Sequence, residues 1–470
     1  MRQGFFGGRK VTVFGLGISG GGVGTVEFLV REGAREIRVT DEKSSEELAD
    51  SIAKIRGLPG VTFALGGHQE RDFTEVDAVI KNPRIPWTNP FILLSKEKGI
   101  PVFMDSSIFC ARSKTPIVGV TGTKGKTTTS SAIAHLLRNA GTSVTEVGIG
   151  ETPVLSLLAE AEASDVTVFE LSSWRLSALP SIEKSPHISV LTNIAPDHLN
   201  YYDSMNSYVE DKMNIARFQT AEDTLIYNAE DPWIVEAVRT LNSPAHKKAF
   251  SFADHGLEGM YVRDGDIVSR EGAKETVFAS VSDVRLPGKH MLLNMLAALA
   301  ATRAFGIDLE TLSRSISSFS GVPHRLELVA IHNGVRWYND TAATIPDATI
   351  AALRSFENPI VLIAGGSDKN LEFESLGKFI AESPSVKTTI LFSGSATKKL
   401  VASIRVFGGA RKIAAEVSSM EEAVTLARAQ CESGDAVLLS PGSASFGLFR
   451  NEFDRGNQFR NSVRAFSSHL

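Results

Sequence analysis

The sequence is poor in cysteine and has no large excess of charge of either sign. Among 470 residues only Cys110 and Cys431 are cysteines, and they lie far apart in the chain. Two isolated thiols offer no disulfide framework and no zinc cluster, and they are typical of a reducing compartment. The net charge of −5 argues against a general nucleic-acid binder, which normally carries a basic surface.

Signals for membrane insertion and export are missing as well. No run of about 18 apolar residues occurs, so we expect no membrane span. The apolar stretch 291–305 contains Asn294, Thr302 and Arg303 and therefore predicts a packed helix. The N-terminus lacks the apolar segment of a signal peptide. We therefore expect a cytoplasmic protein, with a monomer as the default state.

The most informative stretch is GVTGTKGKTTT at residues 119–129. The apolar run 116–120, which contains three β-branched residues and leads into this stretch, predicts a buried strand. The apolar spacing of residues 131–140 after the stretch predicts a helix that Gly141 ends. Strand, glycine turn, Lys-Thr and helix form the arrangement that cradles a nucleotide triphosphate.

Each part of this stretch has a role in phosphate binding. Glycines let backbone N–H groups approach phosphate oxygens, Lys126 adds a positive charge, and the Thr127 hydroxyl can reach Mg²⁺. Val120 stands where the strict P-loop has a glycine, so the loop is a variant. The alternative is a glycine-rich turn that binds nothing.

Strand and helix patterns alternate along the whole chain. They predict an α/β protein with three Rossmann-like domains at residues 1–112, 113–320 and 321–470, built on mostly parallel sheets, with a P-loop-type ATP-binding fold in the centre. In the first domain a GxGxxG turn at residues 15–20 follows a strand, and Asp41 ends the next strand. This pattern favours nucleotide binding, and its alternative is a tight structural turn.

Polar residues follow the strands predicted in the central segment. Glu170 ends one strand, and His198 comes shortly after another. Together with Thr127 they could bind Mg²⁺ beside the phosphates, although either could be an ordinary ion-pair, cap or surface residue. Lys212 lies in a helix predicted over residues 207–218, where a solvated charge is the ordinary interpretation.

Three loops of small polar residues follow strands in the last segment, at residues 339–344, 365–369 and 440–445. We expect them to form the rim of a pocket. Thr344, Lys369 and Ser445 would suit a small carboxylate ligand. The alternative is a set of ordinary loops whose side chains cap helices.

Several of these motifs together resemble the Mur ligase family. VGVTGTKGKTTT, FELSSWRL, LTNIAPDHLNYY, LPGKHMLLNMLAALAA, GVPHRLE, NDTAAT, AGGSDK and LLSPGSASF occur in that family's order and approximate spacing. The resemblance covers essentially the whole chain. It implies three domains that hold, in turn, a UDP-linked substrate, ATP and an amino acid.

The resemblance also assigns roles to residues. It implies catalytic roles for Lys126, Glu170, His198 and Lys212, and metal ligation by Thr127, Glu170, His198 and a carbamylated Lys212, with two Mg²⁺ ions. ATP would contact a larger set: Gly122, Thr123, Lys124, Gly125, Lys126, Thr127, Thr128, Asn294, Arg325 and Asp340. The substrates would contact Ile18, Ser19, Asp41 and Ser172, and glutamate would contact Thr344, Lys369 and Ser445.

Within the family, the motifs are most similar to those of ligases that add D-glutamate to UDP-N-acetylmuramoyl-L-alanine. Such ligases work through an acyl phosphate in peptidoglycan precursor synthesis. The alternatives are a Mur-type ligase for another amino acid such as L-glutamate, a folylpolyglutamate synthase-like ligase, and a nucleotide-binding protein without ligase activity. Arg84, Ile149, Met291, Ala342 and Glu452 depart from the family pattern.

Overall fold

A computed structural model describes residues 1–150, 152–197 and 201–467. These residues form three sheets flanked by helices, so the predicted α/β class is confirmed. The chain divides into two compact units: unit 1 is Met1–Val281 with Leu293–Ile316, and unit 2 is Ser282–Leu292 with Ser317–Leu470. The domain boundaries after residues 112 and 320 stay predictions. In the part of the chain that the structure describes, each helix is too short or too polar to cross a membrane.

The first sheet lies at the start of unit 1 and is wholly parallel, in the order β3-β2-β1-β4-β5. This doubly wound order places ligand-binding turns at the carboxyl ends of its strands. The strands are β1 (Lys10–Phe14), β2 (Glu36–Asp41), β3 (Val61–Leu65), β4 (Ala78–Lys81) and β5 (Val102–Phe103). The helices are α1 (Gly21–Arg31), α2 (Ala49–Ile55), α3 (Arg71–Thr74), α4 (Pro90–Glu97) and α5 (Asp105–Arg112).

The second sheet, also in unit 1, has nine strands in the order β14-β13-β12-β11-β10-β9-β6-β8-β7. Its strands are β6 (Ile117–Thr121), β7 (Val144–Val147), β8 (Val166–Glu170), β9 (Ile188–Leu191), β10 (Thr224–Asn228), β11 (His246–Ser251), β12 (Gly259–Arg263), β13 (Asp266–Glu271) and β14 (Lys274–Ser280). The segment's helices are α6 (Lys126–Asn139), α7 (Leu158–Glu162), α8 (Ser173–Leu176), α9 (Met205–Arg217), α10 (Pro232–Thr240), α11 (Lys289–Phe305) and α12 (Leu309–Ile316).

Strand β12 pairs parallel with β11, but β13 departs from the parallel pattern and pairs antiparallel with both β12 and β14. Only the two residues Asp264 and Gly265 join β12 to β13, and both have positive φ. A two-residue Asp-Gly turn of this kind matches the twist of a hairpin. The turn chemistry therefore reverses the chain between β12 and β13, against the parallel sheets that the strand–helix alternation alone predicts.

The third sheet belongs to unit 2 and runs β15-β16-β20-β17-β18-β19. Only β15 is antiparallel, joined to β16 by an Asn333-Gly334 turn with positive φ at both residues. The strands are β15 (Glu327–His332), β16 (Val335–Asn339), β17 (Ile360–Gly365), β18 (Val386–Phe392), β19 (Ile413–Val417) and β20 (Ala436–Leu439). The helices are α13 (Pro346–Leu353), α14 (Glu374–Glu382), α15 (Ser395–Val406), α16 (Met420–Gln430) and α17 (Glu452–Ser467).

The two sheets of unit 1 share one hydrophobic cluster, which contains residues of α1 and α5 as well as of β8 and β9. The rings of Phe109 and Phe169 meet edge to face, with 5.2 Å between their centroids. Trp87 Nε1 donates a 2.7 Å hydrogen bond to Ser177 Oγ. The N-terminal and central parts of unit 1 are therefore joined by both apolar packing and directed polar contacts.

The Trp87–Ser177 bond can be tested by Trp87→Phe, which keeps an aromatic ring and removes the N–H donor. We expect unit 1 to lose about 1 kcal/mol of unfolding free energy, the typical net value of one such bond. Urea unfolding followed by circular dichroism measures the change. Trp233→Phe is the matched control, since Trp233 is 44% exposed. Equal shifts in the two variants would contradict the expectation.

Candidate active site

The phosphate loop follows β6, which lies between β8 and β9 in the second sheet. Val120 pairs with Glu170 on one side, and Thr121 pairs with Leu191 on the other. Because these three strands are parallel, the loop, Glu170 and the segment after Leu191 meet at one edge of the sheet. The register therefore brings Thr127 and Glu170 to the same edge, and their joint role in Mg²⁺ binding stays a prediction.

The loop turns directly into helix α6. Gly125 caps the helix in the left-handed conformation, with φ of 81°. The first helical hydrogen bond runs from Thr129 N–H to Gly125 O, so the preceding N–H groups have no acceptor within the helix. They lie at the positive end of the helix dipole, where anions bind. The helix therefore begins at Lys126, five residues before the predicted start.

Gly122 lies against the neighbouring segment so closely that a Cβ there would overlap Thr192 Oγ1. The Thr192 hydroxyl donates to the carbonyl oxygen of Lys124 at 2.7 Å. Asn193 accepts from Thr123 N–H through its carbonyl oxygen and from Lys124 N–H through its side chain, both at 2.8 Å. Thr192 and Asn193 thus hold the loop in shape. Sequence reasoning gave these two residues no role, although they stand in the LTNIAPDH motif.

Two lysines share one backbone acceptor in this loop. Lys126 Nζ donates to Gly122 O at 3.0 Å and to Thr123 O at 2.9 Å. Lys212 Nζ donates to the same Gly122 O at 2.9 Å, from helix α9. Lys212 is only 1% exposed, so it is not the solvated charge that its helical position first suggests. Burial, together with the nearby Lys126 charge, lowers the pKa of Lys212 to about 7.

Tyr208, one helical turn before Lys212, connects the lysine to the loop. Its hydroxyl lies 3.1 Å from Thr123 Oγ1, and its ring centroid lies 4.5 Å from Lys212 Nζ. Thr123 Oγ1 also accepts from Ala195 N–H at 3.0 Å. The position of Lys212 is therefore tied to the same segment that holds the loop.

Thr127 and Glu170 form the oxygen pair at this edge. Thr127 Oγ1 donates to Glu170 Oε2 at 2.7 Å. A hydroxyl and a carboxylate are ligands that Mg²⁺ accepts, so these two side chains fit such an ion. His198 lies outside the described residues. Among the residues that the structure describes, no three histidine, cysteine or acidic side chains gather as a metal cluster.

Other predicted nucleotide residues lie around the loop. The Asn294 side chain is packed on Gly125, where a Cβ would lie 3.2 Å from its Cγ. Thr128 is buried, whereas Lys124 is exposed with its amine 3.5 Å from Asp197. Ser172 caps the short helix α8 by accepting from Arg175 N–H at 3.3 Å.

The predicted uridine residues lie at the edge of the first sheet. Ile18 is 70% exposed and Ser19 is exposed, both in the turn after β1. Asp41, at the end of β2, accepts from Gly17 N–H at 3.0 Å and from Lys43 N–H at 3.0 Å. Its carboxylate therefore fixes the turn that presents Ile18 and Ser19.

In unit 2 the three predicted polar loops follow the neighbouring strands β16, β20 and β17, and hydrogen bonds join them. Asp340 N–H donates to Leu439 O at 2.7 Å, and Gly442 N–H donates to Ala343 O at 2.9 Å. Ser367 forms a β-bridge with Ala444. These bonds hold the three loops side by side at one edge of the sheet, and their role as the rim of a ligand pocket stays a prediction.

Charged and polar side chains line this rim to different depths. Asp340 is 8% exposed, and burial raises its pKa to about 7, although the Ser440 hydroxyl donates to it at 2.8 Å. Ser445 is buried and Thr344 is partly buried, whereas Arg325 and Lys369 are exposed. The rim of unit 2 thus offers two cations and hydroxyl groups, a set that suits an anionic ligand.

Each of the three sheets corresponds to a segment of the chain that matches a known protein-family model. Residues 9–104 match the model described as Mur ligase MurD-like, N-terminal domain. Residues 120–302 match the Mur ligase middle domain, and residues 324–442 match the Mur ligase, glutamate ligase domain.

Full-length relatives show the same relationship. A UDP-N-acetylmuramoylalanine--D-glutamate ligase of Roseiflexus sp. (strain RS-1) is 39% identical over 466 residues, covering 98% of this chain and 99% of the relative. An enzyme of the same name from Symbiobacterium thermophilum is 36% identical over 463 residues, covering 98% of each chain.

Solved structures support the fold alone. A UDP-N-acetylmuramate-alanine ligase, MurC, of Thermotoga maritima is 19% identical, with a TM-score of 0.55 over 98% of this chain and 100% of the other. A UDP-N-acetylmuramoyl-L-alanyl-D-glutamate--2,6-diaminopimelate ligase is also 19% identical, with a TM-score of 0.58 over 98% of this chain and 93% of the other.

The close approach at Gly122 gives a direct test of the loop. Gly122→Ala places a methyl group on Thr192 Oγ1, so the loop must open, and we expect ATP affinity to fall at least tenfold, about 1.4 kcal/mol. Calorimetric titration with a non-hydrolysable ATP analogue measures the loss. Gly57→Ala is the control, because a Cβ at Gly57 would contact nothing within 4 Å. Unchanged affinity in Gly122→Ala would show that the loop does not hold the nucleotide.

Proposed function

Because the chain belongs to the Mur ligase family, we propose that it joins D-glutamate to UDP-N-acetylmuramoyl-L-alanine in an ATP-dependent reaction. The observation that carries the proposal is the match over nearly the whole chain to ligases of that name. The lysine-bearing phosphate loop beside Glu170 supports the same chemistry. The reaction needs small molecules only, and we place it in the cytoplasm, carried out by a monomer.

The chemistry requires activation of a carboxylate, which is a poor electrophile. Transfer of the ATP γ-phosphoryl group to the alanine carboxylate gives an acyl phosphate and ADP. The glutamate amine then attacks the acyl carbon, and phosphate leaves as the amide forms. Phosphoryl transfer depends chiefly on positioning and on offsetting negative charge, and the phosphate loop with Lys126 would supply both.

Thr127 and Glu170 are the described residues that would hold Mg²⁺. When bound, the ion would offset the charge that builds up as phosphate and carboxylate oxygens approach each other. The 2.7 Å bond between Thr127 Oγ1 and Glu170 Oε2 keeps both oxygens at the loop, next to the first turn of α6. A second ion and the His198 ligand are part of the proposal by family resemblance.

Lys212 is suited to carbamylation. Its amine is buried and has a pKa near 7, so a large share is neutral and nucleophilic toward CO₂ at neutral pH. As an ammonium group it would be repelled by Lys126, with which it shares the Gly122 acceptor. As a carbamate it would be attracted to Lys126 instead and would add carboxylate-like oxygens for a metal.

The amino acid would bind in unit 2, at the rim that carries Thr344, Lys369 and Ser445. Lys369 could meet a carboxylate of glutamate, and the hydroxyl groups could accept or donate further bonds. Arg325 and Asp340 would contact ATP by family resemblance.

The substrate assignment is tested by phosphate release from ATP with UDP-N-acetylmuramoyl-L-alanine and one amino acid at a time: D-glutamate, L-glutamate, L-lysine or meso-diaminopimelate. We expect turnover with D-glutamate and at least tenfold less with the others, since a mispositioned amine does not reach the acyl carbon. Turnover with another amino acid but not with D-glutamate would overturn the assignment. No turnover with any would point to another acceptor or to a protein without ligase activity.

The role of Lys212 is tested by Lys212→Ala. If the carbamate is needed, activity should fall by at least about 100-fold, and added acetate or bicarbonate should restore part of it. Lys124→Ala, at the exposed end of the loop, is the control and should not respond to acetate. Full activity in Lys212→Ala would contradict the proposal.

The pKa of Lys212 sets a pH dependence for carbamylation. Only the neutral amine reacts with CO₂, and its share falls about tenfold per pH unit below the pKa. We expect labelled bicarbonate to give a strong carbamate NMR signal at about pH 8 and a weak one at about pH 6. A signal of equal strength at both values would show that this amine does not control the reaction.

A further inference from the structure

At Gly24 the backbone of helix α1 lies directly against the ring of Pro153. A Cβ built on Gly24 would overlap Pro153 Cβ, and it would lie 2.8 Å from Pro153 Cγ and 3.1 Å from Ser156 Oγ. The backbone of Gly24 lies in an ordinary helix, so its neighbour and not its conformation requires a glycine. Helix backbone and proline ring therefore touch directly.

The two residues of this contact connect to two different parts of the proposed substrate site: the nucleotide turn and the edge of the second sheet at Glu170. Gly24 N–H donates to Gly20 O at 2.9 Å, and Gly20 closes the nucleotide turn of the first sheet. Val154, next to Pro153, is buried in the same hydrophobic cluster as Val147 of β7. Val147 pairs with Phe169, the residue before Glu170. Just after Val147, a Cβ on Gly148 would overlap the carbonyl oxygen of Glu170. One contact thus links the nucleotide turn to the Glu170 edge.

The surroundings make this link stiff. Val23 and Val26 of α1 and Val154 and Leu155 after Pro153 are all buried in the hydrophobic cluster that spans unit 1. Close-packed interiors transmit small displacements and do not absorb them. Because the proline ring cannot rotate away, an added methyl group at Gly24 must push α1 and the 153–157 segment apart.

We propose that the Gly24–Pro153 contact is a spacer that sets the distance between the nucleotide turn and the Glu170 edge. Binding depends on this distance only for a ligand that contacts both the nucleotide turn and the Glu170 edge. Such a ligand is a nucleoside diphosphate joined through a sugar to a carboxylate. UDP alone would contact only the nucleotide turn, and ATP alone would contact only the phosphate loop. The affinity for either one should therefore not depend on this distance. The identity of the bridging ligand rests on the proposed function.

The test compares two glycine substitutions in the same helix. Gly24→Ala adds a methyl group at the contact, whereas at Gly21 a Cβ would contact nothing within 4 Å. Since misplacement of about 1 Å can reduce a rate 100-fold, we expect Gly24→Ala to lower kcat/KM for UDP-N-acetylmuramoyl-L-alanine at least tenfold. Its calorimetric affinities for UDP and for an ATP analogue should stay within twofold of wild type, and Gly21→Ala should leave all three quantities unchanged.

A compensating substitution separates spacing from damage to the helix. Pro153→Gly removes the ring that the new methyl group meets, so the double variant Gly24→Ala/Pro153→Gly should recover most of the lost kcat/KM. Equal losses in Gly24→Ala and Gly21→Ala would overturn the proposal. A parallel fall in UDP or ATP affinity would overturn it as well, since that result means general disruption.

Two further outcomes are decisive. If Gly24→Ala does not fold, Pro153→Gly alone tests the proposal, because it loosens the spacer. We then expect kcat/KM for the bridging substrate to fall while the affinities for UDP and ATP are kept. An unchanged kcat/KM in Pro153→Gly would overturn the proposal. If the wild-type protein binds UDP-N-acetylmuramoyl-L-alanine but forms no amide with any amino acid, the proposed function is wrong. The affinities of the same variants for that substrate then test the spacer by themselves.

Discussion

The absence of a side chain at Gly122 is the constraint on which the phosphate site depends. It allows the loop to lie on Thr192, so that Thr192 and Asn193 hold the loop backbone. The carbonyl oxygen of Gly122 accepts hydrogen bonds from the amines of Lys126 and Lys212. Both the conformation of the phosphate loop and the placement of its two lysine amines therefore involve Gly122.

That position places two like charges beside a single oxygen, which is unfavourable unless one amine is neutral or modified. Burial of Lys212 shifts its pKa in the direction that relieves the repulsion. A triphosphate would relieve it further by pairing with Lys126. The loop thus favours an anion or a modified lysine before any substrate chemistry begins.

Much of this arrangement could be predicted from the sequence because its signals are local. The bounds of β1, β8 and β20 follow from short, largely apolar runs that end at turn or polar residues. The phosphate loop and the rim of unit 2 follow from small polar residues at strand ends. The positions of the strand ends relative to each other follow from parallel pairing, which a strand–helix pattern implies.

Other features depend on contacts between residues far apart in the chain, and the sequence pattern does not reveal them. The hold of Asn193 on the loop requires the pairing of β9 with β6, and the burial of Lys212 requires the packing of α9 on the sheet. The approach of Gly24 to Pro153 gives no signal beyond one more glycine in a glycine-rich segment. The antiparallel pairing of β12 with β13 could have been predicted from the sequence, since the Asp264-Gly265 turn is typical of a hairpin.

The hydrophobic cluster common to both sheets of unit 1 has a consequence for folding. A chain cut after residue 112, at the predicted end of the first domain, would leave Phe109 and Phe169 each without the ring it packs against. Evolutionary modules and cooperative folding units therefore do not coincide here: two sequence domains would melt as one. A nascent chain would gain stable structure only after the second sheet has left the ribosome, because until then half of the shared core is missing.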